Sequence, residues 1–280
     1  MVFFSKLKID NIKGNNMKQY LRFLTVLGAL SLLTVMPASA VTNGDLDGDG
    51  HPFVGLMVAL DTDGNPLWRC SGTLISPTIY VTAGHCTDAP AVRATIWFDA
   101  DVESGIPGNG YPFSGDVFGT TFLSPDYNPA AFFVNDLGVV ILDTPIIMDE
   151  YAELISEAGA LDALATRRGR QNQTFTAVGY GLQRINPVFV EAERVRMVAT
   201  PHLIQINSPG FTGDFSMLLS NNHSTGGTCF GDSGGPNFIG DSNVIGGVTS
   251  FGINGNCAGT GGVYRLDRAL DLEWLATFFD

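Results

Sequence analysis

Residues 231–236 read Gly-Asp-Ser-Gly-Gly-Pro, and this short run decides the fold prediction. Its glycines permit backbone angles that a side chain would forbid, so the run can form a tight loop that presents Ser233. Such a loop can also aim the amides of Gly231 and Ser233 at one point, where they would bind an oxygen that becomes negative. A Gly-Asp-Ser-Gly run is also often a plain surface turn, so its meaning depends on the residues that accompany it.

A histidine ends an apolar strand pattern in the first half of the chain. Residues 81–86 read Val-Thr-Ala-Gly-His-Cys, which places His85 directly before Cys86. A lone histidine is usually structural. A disulfide at Cys86, however, would hold the imidazole where a general base must lie to take a proton from Ser233.

An acidic residue begins the strongly apolar stretch at 135–140, which reads Asn-Asp-Leu-Gly-Val-Val. An acid at this place is normally a residue of a strand-end turn. Combined with His85, Asp136 would instead fix the tautomer of the imidazole and stabilise its protonated form.

Four motifs together resemble the trypsin and chymotrypsin superfamily, namely residues 82–86, 136–138, 231–236 and the Ser-Phe-Gly run at 250–252. They occur in the order and approximate spacing of that family, and the match covers essentially all of residues 41–280. The resemblance implies an all-β fold of two six-stranded antiparallel β-barrels. A catalytic triad would lie in the cleft between them, formed by His85, Asp136 and Ser233.

The activity that the resemblance implies is that of a serine endopeptidase, which cleaves peptides or proteins through an acyl-enzyme intermediate and needs no cofactor. The oxyanion hole would be formed by the amides of Gly231 and Ser233. One alternative is a catalytically inactive secreted binding protein with the same fold. Another is an esterase, although the Gly-x-Ser-x-Gly elbow and the Ser, Asp, His order of that fold are absent.

A substrate pocket is also implied by the family alignment. The position that is aspartate in trypsin-like members falls on Gly227, and no nearby acid replaces it. We therefore expect a large apolar or neutral residue before the scissile bond rather than Arg or Lys. Residues 250–252 are expected to pair with extended substrate backbone as an added strand. The predicted pocket residues are Gly227, Thr228, Ser250, Phe251, Gly252 and Gly262.

The chain contains an even set of four cysteines, Cys70, Cys86, Cys229 and Cys257. In a secreted chain two disulfides are expected, and the sequence alone permits three pairings. The resemblance selects Cys70 with Cys86 and Cys229 with Cys257. The four histidines are far apart and no Cys-x-x-Cys or His-x-x-x-His spacing occurs, so we expect no metal site.

Short apolar or alternating runs separated by Gly, Pro, Asn and Asp recur in both halves and predict strands. We assign residues 41–150 to the first barrel, 151–172 to the connection, 173–265 to the second barrel and 266–280 to a C-terminal helix that Asp267 could cap. The predicted strands are 53–60, 67–75, 79–82, 92–98, 137–142, 174–180, 194–199, 215–219, 244–251 and 262–266.

Residues 1–40 have the features of a secretory signal peptide, with Met17 as the expected true start. Lys18 and Arg22 form a positive region, residues 23–36 an apolar run and residues 38–40 an Ala-Ser-Ala cleavage site. The apolar run is short for a bilayer span, although a membrane anchor is the alternative. We expect a secreted, extracellular or periplasmic monomer without membrane association after cleavage.

Cleavage after Ala40 would begin the mature chain at Val41. In the family a new N-terminal ammonium inserts beside the acid that precedes the nucleophile, which is Asp232 here. We therefore expect signal peptidase itself to create the activating terminus. The family's usual Ile-Val-Gly-Gly is replaced by Val-Thr-Asn-Gly at residues 41–44.

The mature chain is strongly acidic. Residues 1–40 contain five of the 15 basic residues and one of the 28 acidic residues, so 10 arginines, no lysine and 27 acids remain, with a net charge of −17. Such a surface repels polyphosphates and anionic membranes, so we expect no nucleic-acid partner.

The acidic run at 45–50 resembles the start of a calcium loop, but its twelfth position is Leu56 and not Glu, so we interpret it as a solvated turn.

Overall fold

The computed structural model describes residues 41–165, 173–186 and 189–279. The predicted signal peptide and the last seven residues of the predicted connection, 166–172, lie outside the described residues. Strands predominate in the described part, which confirms the all-β prediction. The strands are β1 Asp45–Leu46, β2 Val54–Leu60, β3 Pro66–Leu74, β4 Ile79–Thr82, β5 Arg93–Trp97, β6 Val117–Leu123, β7 Gly138–Leu142, β8 Glu153–Leu154, β9 Phe175–Gly179, β10 Arg184–Asn186, β11 Phe189–Glu191, β12 Met197–Ala199, β13 Leu203–Ser208, β14 Gly213–Asn221, β15 Pro236–Ile239, β16 Val244–Gly252 and β17 Gly259–Arg265.

Short helical segments accompany the strands. The α-helices are α1 Gly84–Thr87 and α2 Ala269–Ala276, and the 3-10 turns are Glu103–Gly105, Pro129–Ala131 and Ala160–Leu164. None of the helices in the described part of the chain has the length and apolar character needed to span a membrane.

The first half forms a closed antiparallel barrel in the strand order β2-β3-β4-β7-β6-β5. Its strands are rich in Val, Ile, Leu and Thr, which favour a pleated, half-buried surface. β2 is buried along its whole length, since it lies between the barrel interior and β9 of the second half. The apolar pattern of the sequence does not predict β6, because most of its residues are only half-buried and apolar and polar side chains do not alternate regularly along it.

Strands of the second half form a curled sheet in the order β1-β12-β9-β15-β16-β17-β14-β13, and β8 pairs with β16 in parallel. This half-barrel has nine strands within the described residues. The starts of β9 and β13 nevertheless meet, since the Leu203 amide donates to the Gln173 carbonyl oxygen at 2.8 Å and the Phe175 amide to the Pro201 carbonyl oxygen at 2.8 Å.

Three local predictions differ from the structure. β1 belongs to the second sheet, although residues 41–150 were assigned to the first barrel. β8 and a 3-10 turn lie within the predicted connection. Helix α2 spans Ala269–Ala276 and Asp267 does not cap it, because the Asp267 carboxylate accepts hydrogen bonds from the Leu161 amide at 2.8 Å and from the Arg265 guanidinium.

The prediction of a solvated turn at residues 45–50 is wrong for Asp47. This carboxylate is buried, with 2% of the side chain exposed, and accepts hydrogen bonds from Arg196 Nε at 2.9 Å and from His51. Arg196 is also buried and donates to the carbonyl oxygens of Gly48, Val54 and Phe98. The acid therefore ties the N-terminal segment to β12 and to the first barrel.

Arg196→Met should destabilise the protein by about 3–5 kcal/mol, because it leaves the buried Asp47 carboxylate without its cation. Urea denaturation measures the change in the free energy of unfolding. Arg93→Gln is the control, since its pair with Asp143 is well exposed and contributes at most about 1 kcal/mol. Equal losses in the two variants would contradict the structural role of the buried pair.

Candidate active site

A short helix holds His85 at the end of β4. α1 begins two residues after that strand, and its Cys86 forms a disulfide with Cys70 in β3. The indole nitrogen of Trp68 donates a hydrogen bond to the Cys86 carbonyl oxygen at 3.0 Å. The backbone on which His85 rests is thus fixed to the neighbouring strand by a covalent bond and a hydrogen bond.

The pairing of β4 with β7 brings Asp136 to His85. Thr82, the last residue of β4, lies opposite Gly138, the first residue of β7, so His85 and Asp136 emerge side by side. Asn135 turns the chain with a φ of 53°, in the left-handed region that asparagine adopts more readily than most residues. Asp136 is completely buried.

The Asp136 carboxylate contacts both the backbone and the ring of His85. Its Oδ1 accepts a hydrogen bond from the His85 amide at 2.8 Å, and His85 Nδ1 lies 2.9 Å from Oδ2. The Ser250 hydroxyl donates to the same Oδ2 at 2.5 Å. From the sequence, Ser250 is predicted to line the pocket and to pair with substrate backbone, and its contact with the acid is not predicted.

Two opposing effects set the pKa of the His85 imidazole. Burial lowers this pKa, but the charge and hydrogen bonding of Asp136 outweigh burial, and Asp88 adds to the increase, so the pKa lies above its ordinary value of 6.5. Because Nδ1 faces the carboxylate, the neutral ring keeps its proton there and leaves Nε2 free to accept one.

The loop that carries Ser233 is held against the first barrel. The Ser71 amide donates to the Ser233 carbonyl oxygen at 2.8 Å, and the Ser71 hydroxyl donates to the Gly231 carbonyl oxygen at 2.9 Å. Gly234 comes so close that a Cβ on it would lie 2.0 Å from Thr82 Oγ1, and its φ is +79°. Only glycine fits there, because a side chain would push the loop away from the barrel.

Two amides of this loop are free to bind an oxygen atom. Gly231 has a φ of +95°, a conformation that favours glycine. Among the described residues, the amides of Gly231 and Ser233 have no acceptor. Backbone amides held in this way can stabilise a negative oxygen at low energetic cost, because they need not reorient.

Asp232 is completely buried behind this loop. Its Oδ1 accepts a hydrogen bond from the Gly181 amide at 2.7 Å, and its Oδ2 accepts one from the Cys229 amide at 2.8 Å. A Cβ on Gly181 would lie 2.3 Å from the carboxylate, so this glycine, which the sequence analysis does not single out, makes room for it. Burial raises the pKa of Asp232 to about 6, against the lowering effects of the two amides and of Arg69.

The predicted N-terminal residue, Val41, is buried against β12. In the described part of the chain no contact joins Val41 to Asp232. The following residue, Thr42, accepts a hydrogen bond from the Gly227 amide at 3.1 Å. The segment that begins at Val41 therefore lies against the loop of the predicted pocket.

His85 and Ser233 lie together at the junction of two cavities. One, of about 280 Å³, is lined otherwise mainly by the second sheet and its loops. The other, of about 440 Å³, is lined otherwise by residues of the first barrel. Between these two described side chains there is no direct hydrogen bond, and such contacts often tighten only when substrate binds.

The second-sheet cavity contains four of the six predicted pocket residues, which are Thr228, Ser250, Phe251 and Gly252. Gly262 does not line it, since a Cβ on Gly262 would lie 2.3 Å from the Phe251 ring. Gly261, the residue before it, pairs with Gly252, and a Cβ on it would lie 3.1 Å from Thr228 Oγ1.

Gly227 does not line the cavity either. A Cβ on Gly227 would lie 2.4 Å from Cγ of Asn221, so the Asn221 side chain fills the space of the missing floor residue. The Asn221 amide nitrogen donates to the Thr228 carbonyl oxygen at 2.7 Å. The space in which a side chain at position 227 would form the pocket floor is therefore occupied by Asn221, which a hydrogen bond holds in place.

The second disulfide joins Cys229, next to the nucleophile loop, to Cys257 at the cavity edge.

The sulfur atoms of Cys70 and Cys86 and a nitrogen of His85 lie within 4.8 Å of one another, a grouping that could hold a metal ion. The two sulfurs are bonded to each other, so neither is a thiolate ligand.

Comparisons with known proteins agree with this geometry. A family model described as Trypsin matches residues 48–271. The collagenase of Hypoderma lineatum is 25% identical over 203 residues, 72% of each chain, and serine protease 1 of Drosophila melanogaster is 27% identical over 225 residues, 78% of this chain and 77% of the relative.

Two further comparisons extend the agreement. Brachyurin of Leptuca pugilator is 27% identical over 201 residues, which are 68% of this chain and 79% of the relative. A solved HL collagenase structure has a TM-score of 0.64 at 20% identity, covering 85% of this chain and 98% of that chain, which supports the fold.

Asp136→Asn should lower the pKa of His85, because it removes the charge that outweighs the effect of burial. NMR titration of the imidazole resonances measures the pKa, and a His85→Gln variant assigns the signal. In the unchanged protein we expect His85 to titrate above 6.5. An identical titration in Asp136→Asn would show that the acid does not control the imidazole.

Proposed function

This chain belongs to the trypsin family of serine-type endopeptidases, and we propose that it hydrolyses peptide bonds with Ser233 as the nucleophile. In this proposal His85 is the general base, Asp136 orients it, and the amides of Gly231 and Ser233 stabilise the oxyanion. The observation that carries the proposal is the buried Asp136 carboxylate, which holds both the backbone and the ring of His85 beside Ser233.

The reaction divides into acylation and deacylation. Ser233 Oγ bonds to the peptide carbonyl carbon while its proton passes to His85 Nε2, and the carbon–nitrogen bond then breaks as His85 gives that proton to the leaving amine. Water then attacks the acyl carbon while His85 Nε2 takes its proton. The bond from that carbon to Ser233 Oγ breaks, Oγ recovers the proton from His85, and the acid is released. The raised pKa of His85 favours its protonated form in the intermediates.

A neutral or apolar side chain before the scissile bond suits the second-sheet cavity. Phe132, Phe230 and Phe251 line it, and apart from His85 no titratable side chain of the described residues does so. An Arg or Lys side chain would lose water there without gaining a carboxylate. Because Asn221 fills the space at Gly227, the pocket accepts such a residue to a limited depth.

The substrate backbone can pair with the end of β16. β15 begins at Pro236 opposite Val248, so it does not run beside residues 250–252 on that edge. The same residues border the cavity that contains Ser233. An extended peptide would add there as an antiparallel strand and present its carbonyl group to Ser233.

We further propose that the protein is secreted and activated by cleavage before Val41. Two disulfides suit an oxidising compartment. Buried Asp232 has no ion-pair partner within 4.0 Å among the described side chains, so a terminal ammonium would neutralise it. The segment after Val41 already lies against the pocket loop at Gly227.

The N-terminus of active secreted protein should therefore be Val41. N-terminal sequencing of culture medium, with activity assayed in the same fraction, measures it directly. Active protein that begins at another residue would contradict the activation proposal, although it would leave the proposed chemistry unaffected.

Ser233→Ala should lower kcat/KM on peptides by on the order of 10³-fold or more while the fold is retained, because it removes the nucleophile. Purified mature protein and the variant are incubated with a peptide library, and cleavage sites are read by mass spectrometry. Ser224→Ala is a matched control, since Ser224 is exposed and the structure places it outside both cavities.

The position of the serine-dependent cuts tests the pocket. Cuts after large apolar or neutral residues support it, whereas cuts after Arg or Lys keep the mechanism and overturn the pocket assignment. Cleavage that persists in Ser233→Ala would refute the mechanism. The lack of any serine-dependent cleavage, with Val41 verified as the terminus, would favour the inactive binding protein.

A further inference from the structure

The first-barrel cavity beside Ser233 is lined by an arginine that forms no ion pair with the described carboxylates. This cavity shares only His85 and Ser233 with the second-sheet cavity, so the two lie on different sides of the reacting groups. Arg69, in the middle of β3, lines it together with Trp68. If the acyl side of a substrate occupies the second-sheet cavity, the residues after the scissile bond leave through this one, so the inference rests on the proposed function.

Among the described residues, no carboxylate oxygen lies within 4.0 Å of the Arg69 guanidinium. Every other arginine in the described ranges has a carboxylate oxygen within 4.0 Å, and none of these ion pairs includes Arg69. Its hydrogen-bond partners are uncharged, since Nη1 donates to the Ala192 carbonyl oxygen at 3.5 Å and the guanidinium interacts with the Tyr111 hydroxyl, while the charge of Asp232 acts on it without forming an ion pair. A partly buried guanidinium with so few hydrogen bonds has N–H donors left for a ligand.

Two acids near Arg69 are already held by other hydrogen-bond donors. The Glu103 carboxylate is bound by Arg194 at 2.7 Å, and that second arginine adds positive charge near Arg69. Asp232 is buried and bonded to two amides. Asp88 lines the same cavity but forms no ion pair with Arg69. The Arg69 guanidinium is therefore a positive charge at the wall of this cavity that has no ion pair of its own among the described residues.

Arg69 also lies directly beside the proposed oxyanion loop. Its Nη2 and Nε lie 3.1 and 3.2 Å from the point where a Cβ on Gly231 would be. An acidic side chain two or three residues along the leaving segment could reach the guanidinium, and a guanidinium can bind a carboxylate through two parallel hydrogen bonds.

We propose that Arg69 is a specificity-determining residue that selects an acidic residue within the first three positions after the scissile bond. The substrate class is then a peptide with a neutral or apolar residue before the cut and Asp or Glu shortly after it. Arg69 acts through binding of the leaving segment and takes no part in proton transfer.

The test compares kcat/KM on internally quenched peptides that share one residue before the cut and carry Glu, Gln or Lys at a single position after it. At one of the three positions we expect Glu to exceed Gln by about fivefold to tenfold, the size of a partly desolvated ion pair, and to exceed Lys by more. The preference should weaken as sodium chloride is raised, because salt screens exposed charges.

Arg69→Gln should abolish the Glu-to-Gln ratio, and Arg69→Lys should retain part of it because the charge remains. If replacement of Arg69 disturbs Gly231, kcat/KM falls equally on every peptide, and the Glu-to-Gln ratio within that variant is unaffected. An unchanged ratio in Arg69→Gln would therefore mean that Arg69 only supports the loop, and it would overturn the proposal. Arg93→Gln, which removes an equal charge from the outer surface of the barrel, should keep the ratio.

Equal wild-type rates on all three peptides at every position would also overturn the selection by Arg69, while the cleavage itself would still support the proposed function. Failure to cleave any peptide, with no difference from Ser233→Ala, would refute the proposed function and the selection with it. Thermal unfolding of each variant shows that the comparison is made on folded protein.

Discussion

The close contact between Ser71 and the nucleophile loop is the constraint on which the arrangement of the site depends. One amide and one hydroxyl of β3 hold the carbonyl oxygens of Ser233 and Gly231, and the same hydroxyl accepts a hydrogen bond from the Tyr180 amide at 3.0 Å. These bonds exist only because Gly234 lets the two backbones meet. The first barrel thus sets the position of a serine that belongs to the second half.

Buried acids organise the rest of the molecule, and each has a distinct set of donors. Asp47 is held by Arg196 and His51, Asp136 by His85 and Ser250, and Asp232 by backbone amides. A buried carboxylate without partners would be strongly destabilising, so each one specifies a local geometry. The high acidity of the chain is therefore not only a property of its surface.

Much of the fold and the motif residues could be predicted from the sequence, because the apolar runs are local signals. Ile79–Thr82 occurs as a strand with the predicted bounds, and the His85 and Asp136 motifs lie at the ends of strands as expected. The partners Ser71, Gly181 and Arg196 could not be predicted, since each acts on residues far away in the chain.

The error at Gly262 has a physical cause. The pairing of β16 with β17 shifts register between Thr249 and Phe251, which moves Gly262 beneath the Phe251 ring and leaves Gly261 opposite Gly252. A bulge changes which residue faces the cavity without changing the amino-acid pattern. Likewise, Asn221 can fill the pocket floor only because β14 brings it beside Gly227, six positions later in the chain.

The division of the reacting groups between two halves has a consequence for the order of synthesis. His85 and Asp136 belong to the barrel that the ribosome completes first, whereas Ser233 belongs to the last part of the chain. A nascent chain can fold its base and acid while the nucleophile is still unmade, since domains generally fold as units from the N-terminal side. No fragment released before residue 233 carries all three groups, so the cell that makes this protein is protected from its incomplete copies.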